Sequence, residues 1–299
     1  MGFFGGYENS GPGVSKNPEN KTAVARFFGI YVRRFWKLMT LNLMYFIFFI
    51  PPLIMLNIVF SETLSKGVKT VGACALGLLF LLTVGPATAG FTKVIRNYSQ
   101  ERNAFIWSDF VKAFKQNYVQ ALIMGIIDSI FAVGFVVAII SYNEWAQQNI
   151  AIYIPFVIAL SCMLMFIMMH FYIYLLIVST NLSLKNILKN SFLLVGVSLK
   201  KCIFMLFITF VIAGLIAFLY PYSFFVIPFL PLSFLCLLIC FNCYSVIREY
   251  VIDPYYDERG EENPENAYKS DIEDEAVFED KGGEELPIEV KKTRKKKIK

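Results

Sequence analysis

Asp128 and His170 are the two side chains of this 299-residue sequence that could do chemistry inside an apolar run. Asp128 is the only acid well within such a run. Nine residues beyond Val119, it lies on the order of 14 Å along a helix. His170 is the single histidine, about 12 Å before the end of its own run if that helix reaches Val178. The two depths are compatible. A carboxylate in lipid is expensive, so Asp128 should face the bundle interior or water and have a partner. The pair could bind a cation, relay protons or simply tie two helices together.

Cys236, Cys240 and Cys243 recur at i, i+4 and i+7 and so share one helix face. Three thiols on one face invite a metal, but no His, Asp or Glu accompanies them in that run, and free Cys packs as a small apolar side chain. Gly125, Gly134, Gly196 and Gly214 read as close-packing points between helices. There is no Ser-His-Asp arrangement, no phosphate-cradling glycine loop with Lys, and no pair of carboxylates at helical spacing inside an apolar run. The expectation is a protein that is not an enzyme and has no metal or cofactor site.

The elements that must position these residues follow from composition. The chain is 57% apolar, 17% charged, rich in Phe and positive in mean hydropathy, which excludes an ordinary soluble domain. A membrane span needs about 20 mostly apolar residues. Six stretches qualify, at 38–60, 71–94, 119–142, 150–178, 202–220 and 224–247. None alternates with period two, and lipid demands that backbone groups be satisfied within helices or closed barrels. The fold class is therefore all-α, a polytopic six-helix bundle, with domains expected at 1–37 (basic segment), 38–248 (transmembrane) and 249–299 (tail).

Orientation follows from the 28 Lys and Arg, which accumulate in cytoplasmic segments near the membrane. The N-terminal segment has Lys16, Lys21, Arg26, Arg33, Arg34 and Lys37. The second-to-third connection has Lys93, Arg96, Arg102, Lys112 and Lys115, and the fourth-to-fifth has Lys185, Lys189, Lys200 and Lys201. With the tail these segments carry all but Lys66 and Lys69. The pattern predicts both termini in the cytoplasm of a plasma-membrane protein. The basic stretch ahead of the first run is no cleavable signal peptide, and Gly6 stands where a myristoylation motif needs Ser or Thr. All six Cys lie in apolar runs, which argues against structural disulfides.

Trp36, Trp107 and Trp145 are placed as interfacial anchors, while Pro51-Pro52 should kink or end the first span and Pro228 with Pro231 the sixth. The tail holds 16 Asp and Glu between Glu249 and Glu289 and then a Lys/Arg cluster from Lys291 to Lys299. Such material is expected to be disordered, with its basic end attracted to anionic lipid and with no specific nucleic-acid partner.

The second-to-third connection is the most informative segment. Gly85-Pro86 should bend the helix near its exit, and Ala87, Ala89 and Gly90 allow another backbone to come close. Ser108 or Asp109 could accept from the next turn's amides. Phe110, Phe114 and Tyr118 form an i, i+4, i+8 stripe opposed by Lys112, Lys115 and Gln116. This predicts a cytoplasmic amphipathic helix lying at the membrane interface or docking a partner.

At these residues the sequence resembles the YesL-like family of bacterial, mainly Gram-positive, membrane proteins of unknown function. The resemblance rests on Arg34-Phe35-Trp36-Lys37 and Leu41-Asn42-Leu43, then on Pro86, Ala87, Thr88, Ala89, Gly90 and Arg96. It continues through Trp107, Phe110, Phe114, Lys115, Gln116, Asn117 and Gln120, with Tyr250 to Tyr256 similar to the end of longer members. It spans residues 27–251 and is specific over 85–120. The resemblance implies association with carbohydrate ABC-transport and polysaccharide-utilisation systems, and it implies no catalytic or ligand-binding residue. The leading expectation is an accessory protein that contacts ABC-transporter subunits through its cytoplasmic connection or tail. The alternatives are a small-solute or proton-coupled transporter in its own right and a membrane scaffold or biogenesis factor.

Overall fold

The computed structural model describes residues 22–146, 149–264 and 266. Thr22–Glu261 form one compact unit, and the few described residues beyond it belong to a second. Among the described residues there is no strand. The helices are α1 (Ala23–Arg33), α2 (Phe35–Phe46), α3 (Ile50–Phe60), α4 (Lys66–Ser99), α5 (Ile106–Gln116) and α6 (Tyr118–Ala146), followed by α7 (Tyr153–Ser179), α8 (Leu184–Val197), α9 (Leu199–Phe218), α10 (Ser223–Val226), α11 (Pro231–Ile247) and α12 (Asp253–Asp257). Among the described residues six stretches are long and apolar enough to cross a bilayer: Phe35–Phe60, Lys66–Ser99, Tyr118–Tyr142, Ile150–Ser179, Leu199–Phe218 and Pro231–Asp257.

Proline decides where these spans break. In the first, α2 gives way to a 3₁₀ turn at Ile47–Phe49, and Pro51 and Pro52 then start α3 rather than ending a helix, since the first turn needs no donor. In the second, α4 runs unbroken through Pro86. The proline ring deprives the Leu82 carbonyl of its usual donor, and the Tyr118 hydroxyl donates to that oxygen from α6 at 3.4 Å. The sixth span starts at Pro231, later than hydropathy suggests, because Pro228 and Pro231 break the chain between α10 and α11.

The six spans are three copies of one motif, a period that the sequence does not advertise. A short helix is followed by a single non-helical residue and then a span that leads away, and a second span returns. The break residues are Arg34 (φ −107°, ψ 9°), Asn117 (φ −105°, ψ 14°) and Ser198 (φ −112°, ψ 31°), spaced roughly eighty residues apart. Each accepts and donates the same bonds: Arg34 N–H to Ile30 and Leu38 N–H to Arg34, Asn117 N–H to Ala113 and Ala121 N–H to Asn117, Ser198 N–H to Leu194 and Cys202 N–H to Ser198.

Burial repeats with the same register. The residues seven and four before and four and seven after each break are buried: Phe27, Ile30, Leu38, Leu41; Phe110, Ala113, Ala121, Met124; Ser191, Leu194, Cys202, Met205. That spacing is one helix face carried through each break.

Packing obeys the same symmetry. The returning spans α4, α7 and α11 touch one another pairwise, α2 lies against α4 and α11, α6 against α4 and α7, and α9 against α7 and α11. The short helix α5 packs on α4, α8 on α7, and α1 on α11, where Phe27 meets the Phe234 and Phe241 rings edge-on at 5.5 and 5.7 Å. The core sits at the end where the breaks are. Every buried residue of α4 lies from Gly85 onward, and every one of α7 from Phe171 onward, whereas α3 has none.

Two boundaries move from their sequence positions. Ala23–Arg33 is helical and packs within the unit, so the transmembrane domain does not begin cleanly at residue 38. Helical structure also continues past Glu249 through Asp257, with Ile252 buried, because Tyr250 to Tyr256 still supplies apolar surface to cover. The acidic and basic tail from residue 267 and the first 21 residues lie outside the described residues.

Candidate functional site

Asp128 and His170 meet. Asp128 is ten residues into α6 and His170 nine residues before the end of α7, so each lies about 14–15 Å from the end of the bundle that holds the core. His170 Nε2 is 2.7 Å from Asp128 Oδ1, and the Tyr174 hydroxyl donates to Oδ2 at 2.8 Å. His170 Nδ1 lies 3.0 Å from the Phe166 carbonyl one turn back. A carbonyl only accepts, so Nδ1 carries a hydrogen. The contact between Nε2 and Oδ1 then requires one further proton between them, since two lone pairs would repel. The pair holds that single proton and is neutral as a unit.

The site occupies a repeated position. Asp128 is eleven residues after the break at Asn117, and Tyr45, eleven after Arg34, bonds Thr88 of α4 through its hydroxyl at 2.7 Å. Both are clasps between a leading span and a returning one. In the third repeat the position is Thr209, whose hydroxyl donates to Met205 of its own helix at 2.8 Å. Tying helices together is what buried polar groups commonly do in membranes. A double-mutant cycle of Asp128→Leu with His170→Phe is expected to give a coupling energy of about 0.6–2 kcal/mol in detergent-measured stability. A coupling indistinguishable from zero would mean that the clasp does not hold α6 to α7.

The pair is not sealed. The Asp128 and His170 side chains are 27% and 26% exposed, to a groove of about 310 Å³ between α6 and α7 walled by Phe131, Phe135, Met163, Phe166 and Ile167.

The segment expected to contact a partner is mostly committed to the interior. Pro86, Ala89, Gly90, Arg96 and Phe110 are buried within the chain. Gly90 is where α5 seats: a Cβ there would stand 2.9 Å from the Phe110 carbonyl and 3.0 Å from its ring. Phe110 and Phe114 stack on Phe48 of the first span at 6.1 and 6.2 Å, so the stripe on α5 packs on protein rather than on the bilayer surface. Thr88 is taken up by Tyr45, Asn117 by the Ala113 carbonyl at 3.0 Å and Gln120 by the Leu182 carbonyl at 3.0 Å. Arg96 donates to the Tyr244 hydroxyl and stands 4.5 Å from that ring's centroid. Asp109 accepts from the preceding Phe105 N–H at 2.9 Å instead of from the next turn. The residues that α5 leaves outside include Trp107 (72% exposed), Lys112 and Lys115, next to Phe105 (79%), which caps the helix.

Among the glycines, Gly125 packs directly on Gly85, but Gly134, Gly196 and Gly214 have nothing within 4 Å of a would-be Cβ because they sit on faces away from neighbouring helices. Cys240 and Cys243 are buried, with Cys236 Sγ 4.0 Å from Cys240 Sγ, as core packing requires.

One working residue was missed by sequence reasoning. Asn42 is fully buried, donates from Nδ2 to the Ile227 carbonyl at 2.9 Å and accepts at Oδ1 from the Ser233 N–H at 2.7 Å. Pro231 leaves the Ile227 carbonyl without its helical donor, and Ser233 is in the first turn of α11, where N–H groups have no helical acceptor. The signal available in the sequence was an amide near the start of an apolar run together with two distant prolines.

Six such helices with a proton-holding acid–imidazole pair near mid-depth define a multi-pass, all-α membrane protein. Residues 38–142 match a family model described as "Protein of unknown function, DUF624". The matched region covers the motif from Pro86 to Gln120 and reaches Asp128, but not His170. No curated protein and no solved structure matches the chain.

Proposed function

We propose that this chain is a plasma-membrane accessory protein of the YesL-like kind, with both termini in the cytoplasm, that serves a carbohydrate ABC transporter. The observation that carries this reading is the surface left on α5. Phe105 and Trp107 are exposed beside Lys112 and Lys115 while the rest of that helix's apolar stripe is consumed internally. The concentration of Lys and Arg at that end supports a cytoplasmic orientation. The DUF624 match over residues 38–142 is consistent with the family resemblance that suggests the transporter class.

The test is mass spectrometry of what co-purifies with the tagged full-length protein in mild detergent. ABC-transporter subunits are expected, and they should be depleted by the double substitution Phe105→Ala and Trp107→Ala. Loss only on ending the chain at Tyr256 would move the contact to the tail. Recovery of the protein alone would sink the accessory reading. A second reading, a proton-coupled or small-solute transporter, is favoured by the exposure of Asp128 and His170 to a groove. It predicts solute or proton flux in vesicles reconstituted with the pure protein.

A further inference from the structure

We propose that the groove between α6 and α7 binds a lipophilic organic cation in exchange for the proton that Asp128 and His170 share. This inference does not rest on the partner proposed above.

The groove offers such a cation two kinds of attraction. Its walls are apolar and aromatic, with the Phe131 and Phe166 rings stacked at 4.1 Å and the Phe166 ring edge-on to His170 at 4.6 Å. Ring faces attract cations, more strongly where water is excluded. At the head of the groove Asp128 supplies the negative charge. Its oxygens each have a lone pair beyond those engaged by His170 and Tyr174. Tyr174 holds the carboxylate in place from α7, so the acceptor is positioned before any ligand arrives.

Charge arithmetic makes the exchange one for one. With the shared proton in place the pair is neutral, and adding a cation would leave a net positive charge in hydrocarbon, which is costly. If the cation enters and the proton leaves, His170 keeps its Nδ1 hydrogen on the Phe166 carbonyl, the contact from the now bare Nε2 to Oδ1 opens because two lone pairs repel, and the Asp128 carboxylate, still held by Tyr174, pairs with the cation. The site is again neutral. The other titratable groups facing it do not compete. Tyr174 from α7 and Tyr45 from α2, which lies within electrostatic reach of Asp128, are phenols that are uncharged well below about pH 10. Cys236 of α11 lies within electrostatic reach of Tyr45 and is a thiol that is uncharged at neutral pH, and α4 presents the non-titrating Thr88.

The experiment uses benzyltrimethylammonium, a permanent aromatic cation that carries no proton of its own, titrated into the full-length protein in detergent. Calorimetry in buffers of different ionisation enthalpy counts the protons released. The expected result is one proton released per cation bound, with affinity rising about tenfold per pH unit over the range where the proton is displaced. Asp128→Asn should lose at least about tenfold in affinity together with the proton release, and neopentylbenzene, the neutral isostere, should bind without releasing protons. Equal binding by Asp128→Asn, or saturable binding with no proton release, would overturn the proposal, as would no saturable binding at any pH. If Asp128→Asn does not fold, proton counting on the unmodified protein still decides.

Discussion

Asn42→Leu is expected to destabilise the bundle by about 2–6 kcal/mol, the largest effect of any single substitution considered. Leucine has the same branching at Cγ and suits an apolar run, so hydropathy alone would forecast a neutral or stabilising change. The structure reverses that forecast. Asn42 is the donor for the Ile227 carbonyl and the acceptor for the Ser233 N–H, two backbone groups that Pro231 and the start of α11 leave without helical partners. No water is at hand in a bilayer interior to take over. Leucine leaves both unpaired and removes the link from the first span to the sixth. Asn42→Asp keeps the acceptor for Ser233 and loses the donor for Ile227, so it should fall between. The check is the unfolding free energy of the three proteins in mild detergent. A Leu variant as stable as the parent would show that the break between α10 and α11 satisfies itself.

Gly85→Ala should cost about 3 kcal/mol, although it adds a single methyl group to a helix. A Cβ at Gly85 would lie 2.0 Å from the Ala121 carbonyl oxygen and 3.2 Å from the Gly125 Cα. Both are backbone atoms, so no side chain can swing aside, and α4 and α6 must separate. That crossing sits next to Met124 and below Asp128, so separation should also loosen the clasp to His170. Gly134→Ala is the control within α6. Nothing lies within 4 Å of its Cβ position, and alanine is the better helix former, so a gain of up to about 1 kcal/mol is expected. Comparable losses at both positions would mean that helix propensity, and not the crossing, governs the response.

The spans, their number and the acid–imidazole depth were legible because they depend on local composition. About twenty apolar residues make a span wherever they occur, and Asp128 and His170 could be matched in depth by counting 1.5 Å steps from the run ends. The amphipathic stripe of α5 was legible for the same reason. Its destination was not. Phe110 and Phe114 would look the same whether they faced lipid headgroups or, as they do, Phe48 of the first span.

The threefold repeat escaped sequence reading because its equivalent positions need only be small or apolar on one face. Phe27, Phe110 and Ser191 hold equivalent buried places in the three repeats, although two are aromatic rings and the third a small hydroxyl. By itself, then, the sequence determined an all-α chain of six membrane-crossing segments, charged at one end, with one acid and one imidazole at matching depth. Tertiary structure alone decided that three returning spans form the core, that Asn42 serves the proline break of a helix almost two hundred residues away, and that Gly85 rather than Gly134 is where helices touch. Hydropathy is a property of each segment, whereas an unpaired carbonyl or a 2.0 Å approach exists only between segments, and no single run of residues records what will be set against it.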